Sequence, residues 1–116
     1  MSKYETKDSG QRQNYASGMR RDLETGKPNF YLVLSPKLQY HEQLLTRWAE
    51  LMTRGAEKYG IRNWELANSE EERERFKSSA FRHFMQWLCG EDDEDHAAAV
   101  LFNINAAEYV TARMKR

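Results

Sequence analysis

Residues 69–90 read SEEERERFKSSAFRHFMQWLCG. Ser69 followed three residues later by Glu72 fits a capping box, in which the hydroxyl and the carboxylate satisfy the first free N–H groups of a helix. Glu70, Glu71 and Glu72 fall in the first turn, where the helix dipole favours negative charge. Gly90 is the stop signal. Between these ends Phe76, Phe81, Phe84, Met85, Trp87 and Leu88 spread around much of the circumference of the predicted helix. A helix apolar on so many sides must be covered on more than one of them.

Downstream, Asp92 or Asp93 begins a third helix that continues towards Met114, with Val100, Leu101, Ile104, Ala107 and Val110 at its apolar positions. Upstream, Ser35-Pro36 reads as N-cap and first helical position. Leu44, Leu45, Trp48, Leu51, Met52, Gly55, Ala56 and Tyr59 then recur at spacings of three and four, and the pattern ends near Gly60. Residues 61–68 form a loop. Residues 29–34, Asn-Phe-Tyr-Leu-Val-Leu, make a short apolar run expected as an extended segment packed on helices. Residues 1–26 are polar and lack helical periodicity, and are expected as a flexible N-terminal arm before a single helical domain over 27–116. The fold class is therefore all-α: a bundle of about three main helices with an extended arm, completed by oligomerisation.

Composition narrows the function. Lys plus Arg number 18 and Asp plus Glu number 18, so the net charge is zero and a polymeric nucleic acid is not the expected partner. In a chain of 116 residues with an apolar share of 40%, a core is thin, and a homo-oligomer, dimer or tetramer, is expected. The single cysteine, Cys89, excludes an internal disulfide and a cysteine-built zinc site. No run approaches about 18 apolar residues, so no membrane span is expected. Without an apolar signal region at the N-terminus, the expected location is cytoplasmic.

Four groups of residues carry chemistry. The run Glu91-Asp92-Asp93-Glu94-Asp95-His96 offers oxygen ligands of the kind Mg²⁺ takes. Carboxylates three or four apart share a helical face, so Asp92 with Asp95, or Glu91 with Glu94 and Asp95, can hold one ion; a solvated acidic cap is the competing reading. At 100° per residue Asp92, His96 and Asn103 lie on one face, either as pocket wall or as a close helix contact. On helix two Arg82 belongs to a polar stripe with Arg75, Ser78, Ser79 and Gln86, suited to a phosphate or to an acidic neighbour, and His83 lies about 100° away from it. The segment 55–64 combines Lys58, Tyr59, Asn63 and Trp64: a cation for phosphate, stacking faces for a base, and an amide able to read a purine edge.

In order and spacing, these segments resemble the phage dATP/dGTP diphosphohydrolase family, allied to the all-α, MazG-like nucleotide pyrophosphohydrolases. The resemblance runs from Arg21-Asp22 with Gly26-Lys27-Pro28, through Gly55-Ala56, Lys58-Tyr59-Gly60 and Asn63-Trp64, to Arg82-His83, Trp87-Leu88, Gly90-Glu91, Glu94-Asp95-His96 and Asn103. It implies an oligomeric helical fold, phage origin in a host cytoplasm, and Mg²⁺-dependent hydrolysis of a purine dNTP to the monophosphate and pyrophosphate. MazG-like enzymes bind metal through E-E-x-x-E on one helix and E-x-x-D on a later one. Helix one here has only Glu42, Glu50 and Glu57. In one register His96 and Ala99 occupy the later pair; in the other, Asp92 and Asp95 do.

The expected function is thus a purine dNTP pyrophosphohydrolase. Glu91, Asp92 and Asp95 are its metal ligands. His83, His96 and Glu94 are its catalytic candidates, and Lys58, Tyr59, Asn63, Trp64, Arg82 and Asn103 contact the nucleotide. The alternative is a phage protein that sequesters a host signalling nucleotide without hydrolysing it.

Overall fold

A computed structural model describes residues 4–115. The chain divides into two units, one ending at Tyr31 and the other beginning at Leu32.

The first unit holds an antiparallel hairpin where the sequence suggests only an arm. Strand β1 (Arg12–Asn14) pairs with β2 (Arg20–Asp22) in the register Arg12 to Asp22 and Asn14 to Arg20. The turn closes when the Tyr15 N–H donates to the Met19 carbonyl at 2.9 Å, and Gly18 supplies the positive φ of 93°. Asp22 fixes the strand ends: its carboxylate accepts from the Ser9 N–H at 3.2 Å and lies 3.7 Å from Arg12 and 3.8 Å from Lys27. Strands of three polar residues carry no apolar alternation, so periodicity could not reveal them. Phe30–Val33, at the boundary of the two units, forms a 3₁₀ turn rather than an extended segment. Asn29 starts the curl by accepting the Tyr31 N–H on its side-chain oxygen at 3.1 Å.

The second unit is the helical bundle. Its first helix, α1 (Leu44–Tyr59), begins eight residues after Pro36, later than the Ser-Pro signal suggests. Ser35 does open a turn, with the Leu38 N–H on its carbonyl at 3.2 Å. Gln43 then ends that turn. Its amide donates to the carbonyls of Ser35 (2.6 Å) and Leu38 (3.1 Å) and accepts from the Ser35 N–H (3.1 Å), using groups a longer helix would need. Helix α1 stops as expected at Gly60, whose φ is 100° and whose N–H reaches the Ala56 carbonyl.

Helix α2 spans Glu70–Leu88 and α3 spans His96–Met114. The Ser69 hydroxyl accepts from the Glu72 N–H at 3.2 Å, while the Glu72 carboxylate accepts from the Asn68 N–H at 3.0 Å. Helix α3 starts later than the first aspartates of the acidic run. Its cap is Asp95, which accepts from the Ala98 N–H at 3.1 Å.

Helix α3 packs on both α2 and α1 through a seam of small residues. Ala98, Ala106 and Val110 are fully buried, with Ala80, Ala99 and Ala107 beside them. Alanines let helix axes approach closely but bring little apolar area each. The larger apolar groups stay outside: on α2, Phe81, Phe84, Met85, Trp87 and Leu88 are 42–67% exposed. Among the described residues, no helix is long and apolar enough to cross a membrane.

Candidate functional site

The end of α1, the following loop and the facing sides of α2 and α3 enclose a cavity of about 430 Å³. The loop is positioned by backbone geometry first. Arg62 takes a left-handed conformation (φ 53°), and residues Asn63–Leu66 then form a 3₁₀ turn. That turn is pinned to α3: the Glu65 carbonyl accepts from the Tyr109 hydroxyl at 2.7 Å and from Arg113 at 2.8 Å. Trp64 meets Tyr109 edge to face at 5.2 Å.

The cavity wall has three kinds of group. Arg54, Lys58 and Arg62 supply positive charge against the single carboxylate of Glu94. Tyr59, Trp64, Phe76 and Phe102 supply aromatic surface, with Leu51 and Met52 beside them. Asn63 supplies an amide, and Gly55, Ala56 and Gly60 leave the wall open. Phe76 and Phe102 brace each other edge to face at 6.1 Å. The Lys58 ammonium sits 5.0 Å over the Tyr59 ring. The Trp64 indole N–H is buried without an acceptor, a donor left to spare.

Beside this cavity the link between α2 and α3 builds a second centre. Ligand atoms of Glu91, Asp93 and His96 lie within 4.8 Å of one another. His96 is 2% exposed, and its Nε2 is 2.7 Å from an Asp93 carboxylate oxygen. Its other nitrogen, Nδ1, faces Nδ1 of His83 at 2.9 Å. Burial, followed by the neighbouring Arg82 charge, pushes the His83 pKa below the usual imidazole range. The His96 hydrogen bond holds Asp93 below the usual carboxylate range. Two carboxylates and an imidazole form a donor set that fits a divalent cation, and three protein ligands leave coordination positions for water or phosphate.

The structure sorts the residues singled out from the sequence. Lys58, Tyr59, Asn63, Trp64 and Glu94 come together on the cavity wall. Glu91 and His96 come together with Asp93, which the sequence did not separate from its acidic neighbours. Asp92 is exposed and outside that trio. Asp95 gives one carboxylate oxygen to the α3 cap, and both oxygens accept from Arg47 at 2.8 Å. Arg82 is exposed on α2, 3.4 Å from Gln86. Asn103 is buried and donates to the Ala99 carbonyl of its own helix at 2.8 Å. The sequence reading passed over Arg54, Phe76 and Phe102 as wall residues, and gave Arg62, a cation inside the segment 55–64, no role of its own. Arg54 was within reach, because it lies one helical turn before Lys58.

A family model described as dATP/dGTP diphosphohydrolase, N-terminal, matches residues 17–116, which include every residue of the cavity and of the carboxylate–imidazole centre. No curated protein and no solved structure matches the chain.

Proposed function

Since the chain belongs to the dATP/dGTP diphosphohydrolase family described by that N-terminal model, we propose that it hydrolyses purine deoxynucleoside triphosphates to the monophosphate and pyrophosphate with the help of Mg²⁺. One observation carries the reading. The cavity that gathers Arg54, Lys58 and Arg62 around Asn63 and Trp64 also takes in Glu94, from the same short link that carries Glu91 and Asp93.

The roles follow from the chemistry of the side chains. The three cations neutralise the triphosphate, with the two guanidiniums suited to bidentate contact. Tyr59 and the aromatic wall offer a face for the base, and Asn63 offers a donor and an acceptor to its edge. Glu91, Asp93 and His96 would hold the cation, which when bound neutralises phosphate charge and lowers the pKa of water. Glu94 faces the same cavity and is the carboxylate we assign to orienting the attacking water and accepting its proton. Water adds at the α-phosphorus, and the bond to the bridging oxygen breaks to release pyrophosphate. His83 is buried and lies outside the cavity wall, so it acts through His96, whose ring nitrogen it faces. The exposed α2 face supports assembly of copies into a homo-oligomer.

A second reading, binding without turnover, is favoured by Asp95, whose carboxylate is committed to Arg47 and the α3 cap. Incubation with each dNTP and Mg²⁺, followed by chromatography, separates the two. Monophosphate plus pyrophosphate from dATP or dGTP is expected. Unchanged nucleotide with tight binding would support sequestration instead.

A further inference from the structure

His83 is 8% exposed, lies outside the cavity wall, and yet points a ring nitrogen at His96. The two facing atoms are both Nδ1, 2.9 Å apart. With both rings uncharged, such a contact requires one N–H and one lone pair. Asp93 decides which is which. Its carboxylate accepts only, and it lies 2.7 Å from His96 Nε2, so Nε2 carries the His96 proton. Nδ1 of His96 must then accept, His83 donates through Nδ1–H, and Nε2 of His83 is bare.

A cation bound by His96 needs the Nε2 lone pair. The ring proton then belongs on Nδ1, which becomes a donor. Among the described residues its partner is Nδ1 of His83, which must turn acceptor and carry its own proton on Nε2. The count is unchanged, two N–H groups before and two after. Both tautomers have switched, and the hydrogen bond has reversed direction.

We propose that His83 is a positioning residue that sets the His96 tautomer, donating to His96 while Asp93 holds the ring and accepting from it when a divalent cation takes Nε2. The inference rests on reading Glu91, Asp93 and His96 as the cation site. Without His83 the loaded site would keep a buried N–H with no acceptor, and loss of such an outer partner weakens metal binding by about 10–100-fold.

The test is calorimetric titration of the whole chain with Mn²⁺, comparing wild type, His83→Asn and His83→Leu. The Asn side-chain oxygen can stand where Nδ1 stood and accept, whereas Leu fills the space and cannot. His83→Asn is expected to bind close to wild type and His83→Leu about 10–100-fold more weakly, at matched circular dichroism. A role in packing alone would favour Leu over Asn. Equal affinity for all three proteins, or equal loss in both variants, would overturn the tautomer role while leaving the cation site standing. A wild type that binds no Mn²⁺ would overturn the site, and this inference with it. Should His83→Leu fail to fold, ¹⁵N spectra of the wild-type rings decide. The His96 proton must move from Nε2 to Nδ1 on adding Mg²⁺, and a proton that stays on Nε2 refutes the proposal.

Discussion

Arg47 grips Asp95 with both sides of its guanidinium fork, Nε to one carboxylate oxygen and Nη2 to the other, each at 2.8 Å. The pair joins α1 to the first turn of α3 across 48 residues of sequence, and the same carboxylate caps α3. It therefore fixes one end of the link that carries Glu91 and Asp93. Charge-assisted hydrogen bonds of this bidentate kind contribute roughly 1.5–3 kcal/mol, less where solvent screens them, and the cap about 1 kcal/mol.

The first prediction separates structure from chemistry at Asp95. Asp95→Ala should destabilise the protein by about 2–3 kcal/mol in urea unfolding, and Asp95→Asn by less, because Asn still caps. Arg47 holds the Asp95 carboxyl below the usual carboxylate range. Its stabilisation is therefore complete above the unfolded value of about 4 and is lost as pH falls through the lower folded value. Stability measured from pH 6 downwards should drop more for wild type than for Arg47→Ala. Parallel curves would remove the pair from the acid response.

The helical architecture was legible because it depends on local signals. Ser69 with Glu72, Gly60 and Gly90 mark helix ends through backbone geometry that the sequence states directly. The start of α1 was not, because Gln43 reaches back eight residues to Ser35, and no periodicity records a side chain that consumes backbone groups. The site divides on the same line. Lys58, Tyr59, Asn63 and Trp64 are neighbours in sequence and stay neighbours in space. The fate of Asp95 turned on Arg47, a partner visible only after folding, and the choice of Asp93 over Asp92 turned on where His96 points.

The exposed face of α2 gives the second prediction. Phe81, Trp87 and Leu88 are 67, 52 and 62% exposed, whereas the largest fully buried side chain among the described residues is Val110. Apolar patches beyond a few hundred Å² on soluble proteins mark interfaces. Light scattering is expected to give a multiple of 13.7 kDa, and Phe81→Glu with Trp87→Glu should return the monomer mass. A wild-type monomer at micromolar concentration would refute this.

A third prediction concerns the phosphates. Arg54 and Lys58 line the same cavity one helical turn apart. Removing either positive charge should weaken all dNTPs alike, by about tenfold for roughly 1.4 kcal/mol of lost contact. The loss should shrink at high salt, since partly exposed charges are screened. Fluorescence titration of Lys58→Ala and Arg54→Ala at two ionic strengths checks it, and a loss confined to one base would assign these residues to base recognition instead.

The last prediction concerns the base. Asn63 lies on the cavity wall between Arg62 and Trp64, at the start of the 3₁₀ turn that Tyr109 and Arg113 pin through Glu65. That anchoring holds the backbone of the turn in place before a ligand arrives, which is what selective recognition requires. An amide presents one donor and one acceptor side by side, matching a purine edge. A site built on such hydrogen bonds rejects a base that leaves them unmade, by a margin that can reach about 10⁴. Purine dNTPs should therefore bind more tightly than pyrimidine dNTPs, and Asn63→Ala should narrow that gap while leaving phosphate affinity nearly unchanged. Competition binding with the four dNTPs and with inorganic triphosphate, on wild type and variant, reads both quantities at once. If Asn63→Ala weakens all four dNTPs equally, Asn63 does not read the base, and the preference must come from the aromatic wall around Trp64 and Phe76.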